Sequence, residues 1–178
     1  MWNQLQLAYV GIELPDPASL TPFFGEVVGL IPGEPPALAG SLTWRNDDKA
    51  HRVILRHGPA NDAVYVGFEA AGESAFDAVV ARLDAAGYPV EEGTSALCAE
   101  RRVGRLASTT APWGVNIEVV ENLAAASHPY SSPLVPGGFF TRGVYGPGPP
   151  LSTPRSTLAV SPLAPAATEW ICHSTVPT

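Results

Sequence analysis

The chain has 178 residues, of which 46% are hydrophobic, and a formal net charge of −7. This length suits one domain of roughly 100 to 150 residues plus an extension, and the acidic balance argues against a nucleic-acid partner. No run approaches the roughly 18 to 20 consecutive apolar residues of a membrane span, and residues 1–4 lack the basic start of a signal peptide, so we expect a soluble cytoplasmic protein with no membrane partner. The two isolated cysteines, Cys98 and Cys172, predict neither a disulfide framework nor a zinc site.

A strand-like pattern occurs twice in the chain. Residues 7–13 are LAYVGIE and residues 63–69 are AVYVGFE, and each copy leads into an amphipathic stretch. An internal repeat of this length indicates two similar supersecondary units joined in tandem.

The first unit begins with a predicted strand over residues 4–14, which ends at a proline-rich turn. Apolar residues at helical spacing then predict a helix that Gly29 closes. Because a proline inside a helix removes a hydrogen bond at a cost of about 3 kcal/mol, we expect Ser19 to be the N-cap and Pro22 to lie in the first turn.

More strands and a second helix follow. A short strand before Pro35 and a hairpin of residues 41–45 and 52–56 complete the first unit. In the second unit, Ser74 is the predicted N-cap of a helix that ends at Gly87. The remaining predicted strands lie near Val90 and at residues 103–109 and 115–120.

The expected fold class is α+β. Residues 1–123 are predicted to form two tandem βαβββ modules, at about 4–60 and 61–123, that share a cupped mixed sheet. Residues 124–143 are rich in Pro and Gly and predict an interdomain-type linker. Residues 144–178 hold seven prolines and show no periodicity. Because such a segment cannot bury enough apolar surface to offset its ordering entropy, we expect an irregular, disordered tail.

Several motifs occur in an order that resembles a known family. They are AYVGIELPD at 8–16, NDDKAHR at 46–52, YVGFE at 65–69, APWGVNIE at 111–118 and SPLVPGGF at 132–139. Their order resembles the N-terminal domain of the type I extradiol ring-cleavage dioxygenases, which include the 2,3-dihydroxybiphenyl 1,2-dioxygenases. These enzymes belong to the vicinal oxygen chelate superfamily, which also contains glyoxalases and bleomycin-resistance proteins. The resemblance covers residues 4 to 143.

The resemblance implies a two-domain enzyme that opens catechol-type rings with O₂. In the family, the C-terminal domain holds Fe(II), or occasionally Mn(II), through two His and one Glu, which leaves metal positions for both substrate oxygens and O₂. The positions of this chain that match those ligands are Tyr9, Tyr65 and Glu118. Since one carboxylate with two phenols is a poor Fe(II) site, the resemblance implies a degenerate copy with no metal, no cofactor and no catalytic residue of its own.

The same residues have a structural interpretation. Tyr9 and Tyr65 are expected to be core aromatic residues with hydrogen-bonded hydroxyls, and Glu118 a relic of the ligand set or a partner for a tyrosine hydroxyl. His51 and His57 flank a predicted strand, six residues apart, and are expected to share its solvated face.

The chain departs from the family pattern after residue 143. Family members continue with a segment like GLGHVV, whose His is the first metal ligand, whereas here Val144 and Tyr145 are followed by GPGPP. One set of codons for GPGPP is GGG-CCT-GGG-CCA-CCT. If a C follows and the reading frame is moved by one nucleotide, the same bases read GGC-CTG-GGC-CAC-CTC, which encodes Gly-Leu-Gly-His-Leu. We therefore expect residues 144–178 to be out-of-frame peptide.

Two functions remain as alternatives. In the first, the chain is the non-catalytic N-terminal domain of a dioxygenase, inactive alone, whose full-length form takes an aromatic diol and O₂ in aromatic hydrocarbon catabolism. In the second, it is a stand-alone metal-free module whose cup binds a small hydrophobic ligand. A homo-oligomer is compatible with both.

Overall fold

The computed structural model of this chain describes residues 5–34 and 40–135. The predictions made for residues 136–143 and for the tail at 144–178 lie outside the described residues, as does Cys172. No helix within the described ranges is long and apolar enough to cross a membrane.

Within the described residues, eight strands form one mixed sheet, and the strand order of one half repeats in reverse in the other half. The strands are β1 (Leu5–Leu14), β2 (Ile31–Pro32), β3 (Leu42–Arg45), β4 (Val53–His57), β5 (Asp62–Ala70), β6 (Glu91–Glu92), β7 (Arg105–Thr110) and β8 (Asn116–Glu121). Their order in the sheet is β2-β3-β4-β1-β5-β8-β7-β6. The repeated strands β1 and β5 pair antiparallel in the middle of the sheet. On their other edges, β1 pairs parallel with β4 and β5 pairs parallel with β8. The predicted α+β fold with a mixed sheet is confirmed.

The first helix, α1 (Glu73–Ala85), packs on the second half of the sheet. Its buried residues include Phe76 and Val79. The predicted N-cap Ser74 is wrong: the helix begins after Gly72, whose φ of 142° turns the chain without a side-chain cap.

The corresponding segment of the first unit is not a regular α-helix. A 3₁₀ turn over Pro17–Leu20 is followed by a π-helical turn over Phe23–Val28, and Gly29 closes it with a φ of 81°, as predicted. Ser19 is not the N-cap, because the carboxylate of Asp16 accepts the hydrogen bond from the Ala18 N–H at 3.2 Å.

A second short helix, α2 (Ser95–Arg101), lies between β6 and β7, where the sequence analysis predicted no element. The hydroxyl of Thr94 caps it by accepting a hydrogen bond from the Leu97 N–H at 3.2 Å. Arg102, with a φ of 53°, is the C-cap that follows the helix. This helix matters for the site, because its last residue, Arg101, is 4% exposed.

Residues that follow β8 form backbone and side-chain hydrogen bonds with the first unit. Lys49 and Ala125 form an isolated antiparallel bridge. Farther along, the hydroxyls of Tyr130 and Ser132 both donate hydrogen bonds to the carbonyl oxygen of Gly29, at 2.9 and 2.8 Å. The described part of the predicted linker therefore lies against the first unit.

Candidate functional site

The repeated Tyr-Val-Gly motif forms the centre of the sheet. Tyr9 of β1 is directly opposite Gly67 of β5, and Tyr65 of β5 is directly opposite Gly11 of β1. A Cβ atom at either glycine would overlap the facing tyrosine ring. Each tyrosine therefore covers the glycine of the other repeat, and the two rings meet edge to face with centroids 6.2 Å apart.

Glu118 joins this pair from the neighbouring strand. On β8 it lies beside Gly67, so that Tyr9 and Glu118 flank the same glycine. The Tyr9 hydroxyl reaches across Gly67 and donates a hydrogen bond to Glu118 Oε2 at 2.7 Å. The structure thus brings Tyr9, Tyr65 and Glu118 together, each at most 3% exposed.

Arg101, which the sequence analysis missed, completes the group. Its Nε donates to Glu118 Oε2 at 3.0 Å and its Nη2 to Glu118 Oε1 at 3.2 Å, a two-point pairing of guanidinium and carboxylate. The guanidinium carbon lies 3.9 Å from the centroid of the Tyr65 ring. The Arg101 Nη1 also pairs with the carboxylate of Glu100. We call Tyr9, Tyr65, Arg101 and Glu118 the cup cluster.

Burial controls the protonation of the cup cluster. Burial, and then the Glu118 carboxylate, raise the pKa of Tyr9 well above its ordinary value. Burial likewise raises the pKa of Tyr65 to about 12. Burial opposes the charge of Arg101, but Tyr65 and Glu118 outweigh it, so the pKa of Arg101 lies above its usual range. At neutral pH the two phenols are therefore neutral and Arg101 is charged, and the guanidinium pairs with the Glu118 carboxylate.

The residues present do not fit Fe(II) or Mn(II). A divalent metal needs ligand atoms with free lone pairs facing one open position. Here both Glu118 oxygens accept hydrogen bonds from Arg101 or Tyr9, and the nearest formal charge is positive. Within the described ranges, no group of three or more His, Cys, Asp and Glu side chains is placed to hold a metal ion.

His51 is buried beside the cup cluster, and the prediction that it shares a solvated face with His57 is wrong. Its side chain is 1% exposed and meets the Tyr9 ring with centroids 5.4 Å apart, whereas His57 is exposed. The reason is that β4 begins at Val53, so the alternation of that strand does not extend back to His51.

The burial of His51 predicts a loss of stability in acid. Burial, and then the charges of Arg101, Arg102 and Arg52, lower the pKa of His51 to about 4. Between pH 6.5, the ordinary pKa of histidine, and about pH 4, His51 gains a proton in the unfolded chain but not in the folded one. The free energy of unfolding therefore decreases as the pH is lowered through this range. The expected loss from this group is about 3 kcal/mol on going from pH 7 to below pH 4.

Urea unfolding of the wild type and of His51→Gln at pH 7 and pH 4.5 measures this contribution. The variant is expected to lose less stability on acidification, and His57→Gln, at an exposed position, serves as the matched control. Equal acid losses in the wild type and His51→Gln would contradict the assignment.

The two tyrosine hydroxyls differ in a way that can be tested. Tyr9 donates to a charged acceptor, whereas the buried Tyr65 hydroxyl has no hydrogen-bond partner in the described part of the chain. Tyr9→Phe is therefore expected to lower the free energy of unfolding by about 1.5 to 3 kcal/mol. Tyr65→Phe is expected to be neutral or stabilising, because it removes a buried unpaired group. Thermal or urea unfolding of the two variants provides the comparison, and equal losses would contradict it.

Comparison with known sequences identifies relatives that are about twice as long. No protein-family model matches the chain. It is 32% identical over 137 residues to a 3-methylcatechol 2,3-dioxygenase of Pseudomonas putida, covering 76% of this chain and 46% of that protein. It is 31% identical over 150 residues to a biphenyl-2,3-diol 1,2-dioxygenase of Sphingomonas paucimobilis, covering 80% and 48%. The chain thus spans about half the length of the curated relatives it matches.

Solved structures agree with the sequence relatives. The crystal structure of a halotolerant catechol dioxygenase matches with a TM-score of 0.73 at 25% identity, over 82% of this chain and 48% of that one. A catechol 2,3-dioxygenase structure gives a TM-score of 0.70 at 25% identity, over 79% and 49%. The resemblance indicated by the order of the motifs is confirmed: the chain is a homologue, over about half of their length, of the extradiol ring-cleavage dioxygenases of the vicinal oxygen chelate superfamily.

Proposed function

We propose that this chain is the metal-free, non-catalytic half of an extradiol dioxygenase, that it corresponds to the N-terminal domain of full-length members, and that it is inactive alone. One observation carries the proposal. Glu118, at the position that matches a metal-binding carboxylate, has both oxygens engaged by Arg101 and Tyr9. Such a half would support folding and assembly, while a second half would hold Fe(II) or Mn(II). The names of the relatives support a catechol-type diol and O₂ as the substrates of the longer protein.

A cytoplasmic location and association into a homo-oligomer are parts of the same proposal. The exposed apolar side chains Phe23, Val27 and Trp113, which are 50%, 72% and 74% exposed, provide surface for contacts with other chains or with the second half.

A ring-cleavage assay tests the proposed inactivity. The chain is loaded with Fe(II) without oxygen and then given air-saturated 3-methylcatechol or biphenyl-2,3-diol. We expect neither the yellow cleavage product nor O₂ uptake above that of Fe(II) in buffer, because the cup cluster provides no open metal position. A full-length relative is the positive control. Turnover that saturates with the diol and scales with the concentration of the chain would contradict the proposal.

The alternative, a stand-alone module that binds a small hydrophobic ligand in the cup, has weaker support. The cup cluster fills the centre of the sheet, where a cup would have to hold its ligand, with side chains that are at most 4% exposed. An open pocket of about 510 Å³ lies elsewhere, lined by residues that include Cys98, Arg105 and Leu106. A ligand of the cup would have to displace a buried ion pair, which is costly.

The domain boundaries belong to the proposal as well. We propose that residues 1–123 are the domain of two modules, that residues 124–143 begin the connection to a second half, and that residues 144–178 are out-of-frame peptide. Sequencing the gene from the codon of Gly138 past the stop tests this. A second frame that encodes a GHVV-like start and later His and Glu ligands is expected. The absence of such a frame would contradict the proposal and favour the stand-alone module.

A further inference from the structure

We propose that Arg101 is the resident cation of the cup: its guanidinium occupies the place beside Glu118 that a divalent cation would need. The cup would then exclude metal by occupancy and charge, in addition to having tyrosines where the family has histidines. The inference concerns this chain's own residues and does not depend on whether the chain is half of an enzyme.

Both carboxylate oxygens of Glu118 already accept hydrogen bonds. Arg101 contacts both carboxylate oxygens, at 3.0 and 3.2 Å, and the Tyr9 hydroxyl takes a further lone pair of Oε2 at 2.7 Å. Glu118 is 1% exposed and Arg101 4% exposed, so water does not compete for either group. A metal bound to Glu118 would have to displace the guanidinium.

Three neighbouring side chains hold the Arg101 guanidinium in place. Its guanidinium contacts Glu118 along one edge, Glu100 at Nη1 and the face of the Tyr65 ring. These contacts match a planar cation that has several N–H donors. The recess that remains without the Arg101 side chain would therefore accept a free guanidinium ion as its ligand.

The first test is chemical rescue of Arg101→Ala. Guanidinium chloride at about 10 mM, far below the concentrations that unfold proteins, is expected to raise the melting temperature of this variant by at least about 3 °C. Sodium chloride at the same concentration is expected to have no such effect. Arg105→Ala is the matched control, because Arg105 pairs with Asp77 at the surface, where the two side chains are 40% and 59% exposed.

If Arg101→Ala does not fold in buffer, guanidinium added during refolding is expected to restore its near-ultraviolet circular dichroism. A response no larger than that of Arg105→Ala, or no recovery during refolding, would overturn the proposal.

The second test measures metal affinity after the histidines are introduced. Tyr9→His/Tyr65→His restores two imidazoles beside Glu118 while Arg101 is retained, and a triple variant adds Arg101→Ala. Because a fixed positive charge a few ångströms from a divalent ion repels it even at the dielectric constant of water, Mn(II) should bind the triple variant at least about tenfold more tightly. Equal affinities of the double and triple variants in an electron paramagnetic resonance titration would overturn the proposal.

Discussion

Arg101→Met is expected to lower the free energy of unfolding by about 3 to 5 kcal/mol. The methionine approximates the length of the arginine stem but leaves Glu118, which is 1% exposed, as a buried carboxylate without its cation. The Tyr9 hydroxyl remains its hydrogen-bond donor, which does not neutralise the charge. Urea unfolding is the appropriate measurement, since guanidinium would itself bind at the vacated position.

The double variant Arg101→Met/Glu118→Gln identifies the source of that loss. Removing both charges while the Gln carbonyl still accepts from Tyr9 is expected to recover a large part of the stability, as replacement of whole buried ion pairs often does. Arg105→Met is the matched surface control and is expected to have a much smaller effect. A double variant as unstable as Arg101→Met would contradict the role of the buried charge.

Gly67→Ala and Gly11→Ala are both expected to lower the free energy of unfolding, by about 3 kcal/mol or more at Gly67. Either Cβ would overlap the tyrosine ring opposite, and such overpacking costs about 1 to 3 kcal/mol. At Gly67 the displaced ring is Tyr9, so its hydrogen bond to Glu118 is also disturbed, whereas the hydroxyl of Tyr65 has no partner in the described ranges to lose. Equilibrium urea unfolding of both variants measures the two losses.

The clash can be isolated by combining each glycine variant with a smaller residue opposite. In a Tyr65→Ala background, Gly11→Ala is expected to cost much less than in the wild type, because the two positions are directly coupled across the strands. The same cost in both backgrounds would contradict the proposed packing.

The fold follows from the sequence where local and repeated signals coincide. The two Tyr-Val-Gly copies place β1 and β5 at equivalent positions, and the mirrored sheet order is the structural expression of that repeat. The N-terminal ends of the helical segments were not predicted correctly. The N-caps are Asp16 and Gly72, not Ser19 and Ser74. At each site the two candidate cap residues lie within three positions of each other, and propensity does not choose between them.

The candidate site could be predicted only in part. Tyr9, Tyr65 and Glu118 were found because their positions match a family motif, and the strand register brings them together. Arg101 was missed because it ends a helix of seven residues and meets Glu118 only through the tertiary structure. The signal for that helix was Thr94 followed by good helix formers.

Two smaller expectations failed for similar reasons. His51 lies before the first residue of β4, so the alternation of that strand does not predict its burial, and its ring packs against Tyr9. The hydroxyl of Tyr65 was expected to have a hydrogen-bond partner, and the described residues provide none. In both cases the outcome depends on packing across the centre of the sheet, which periodicity along one strand does not encode.

A titration of the wild-type chain with Mn(II) tests the central claim most directly. The claim is that the cup cluster is complete without a metal because Arg101 supplies its cation. The electron paramagnetic resonance signal of free Mn(II) is expected to remain at full intensity as the chain is added. Loss of one equivalent of that signal, restored by Glu118→Gln, would show that a metal binds in the cup and would contradict the claim.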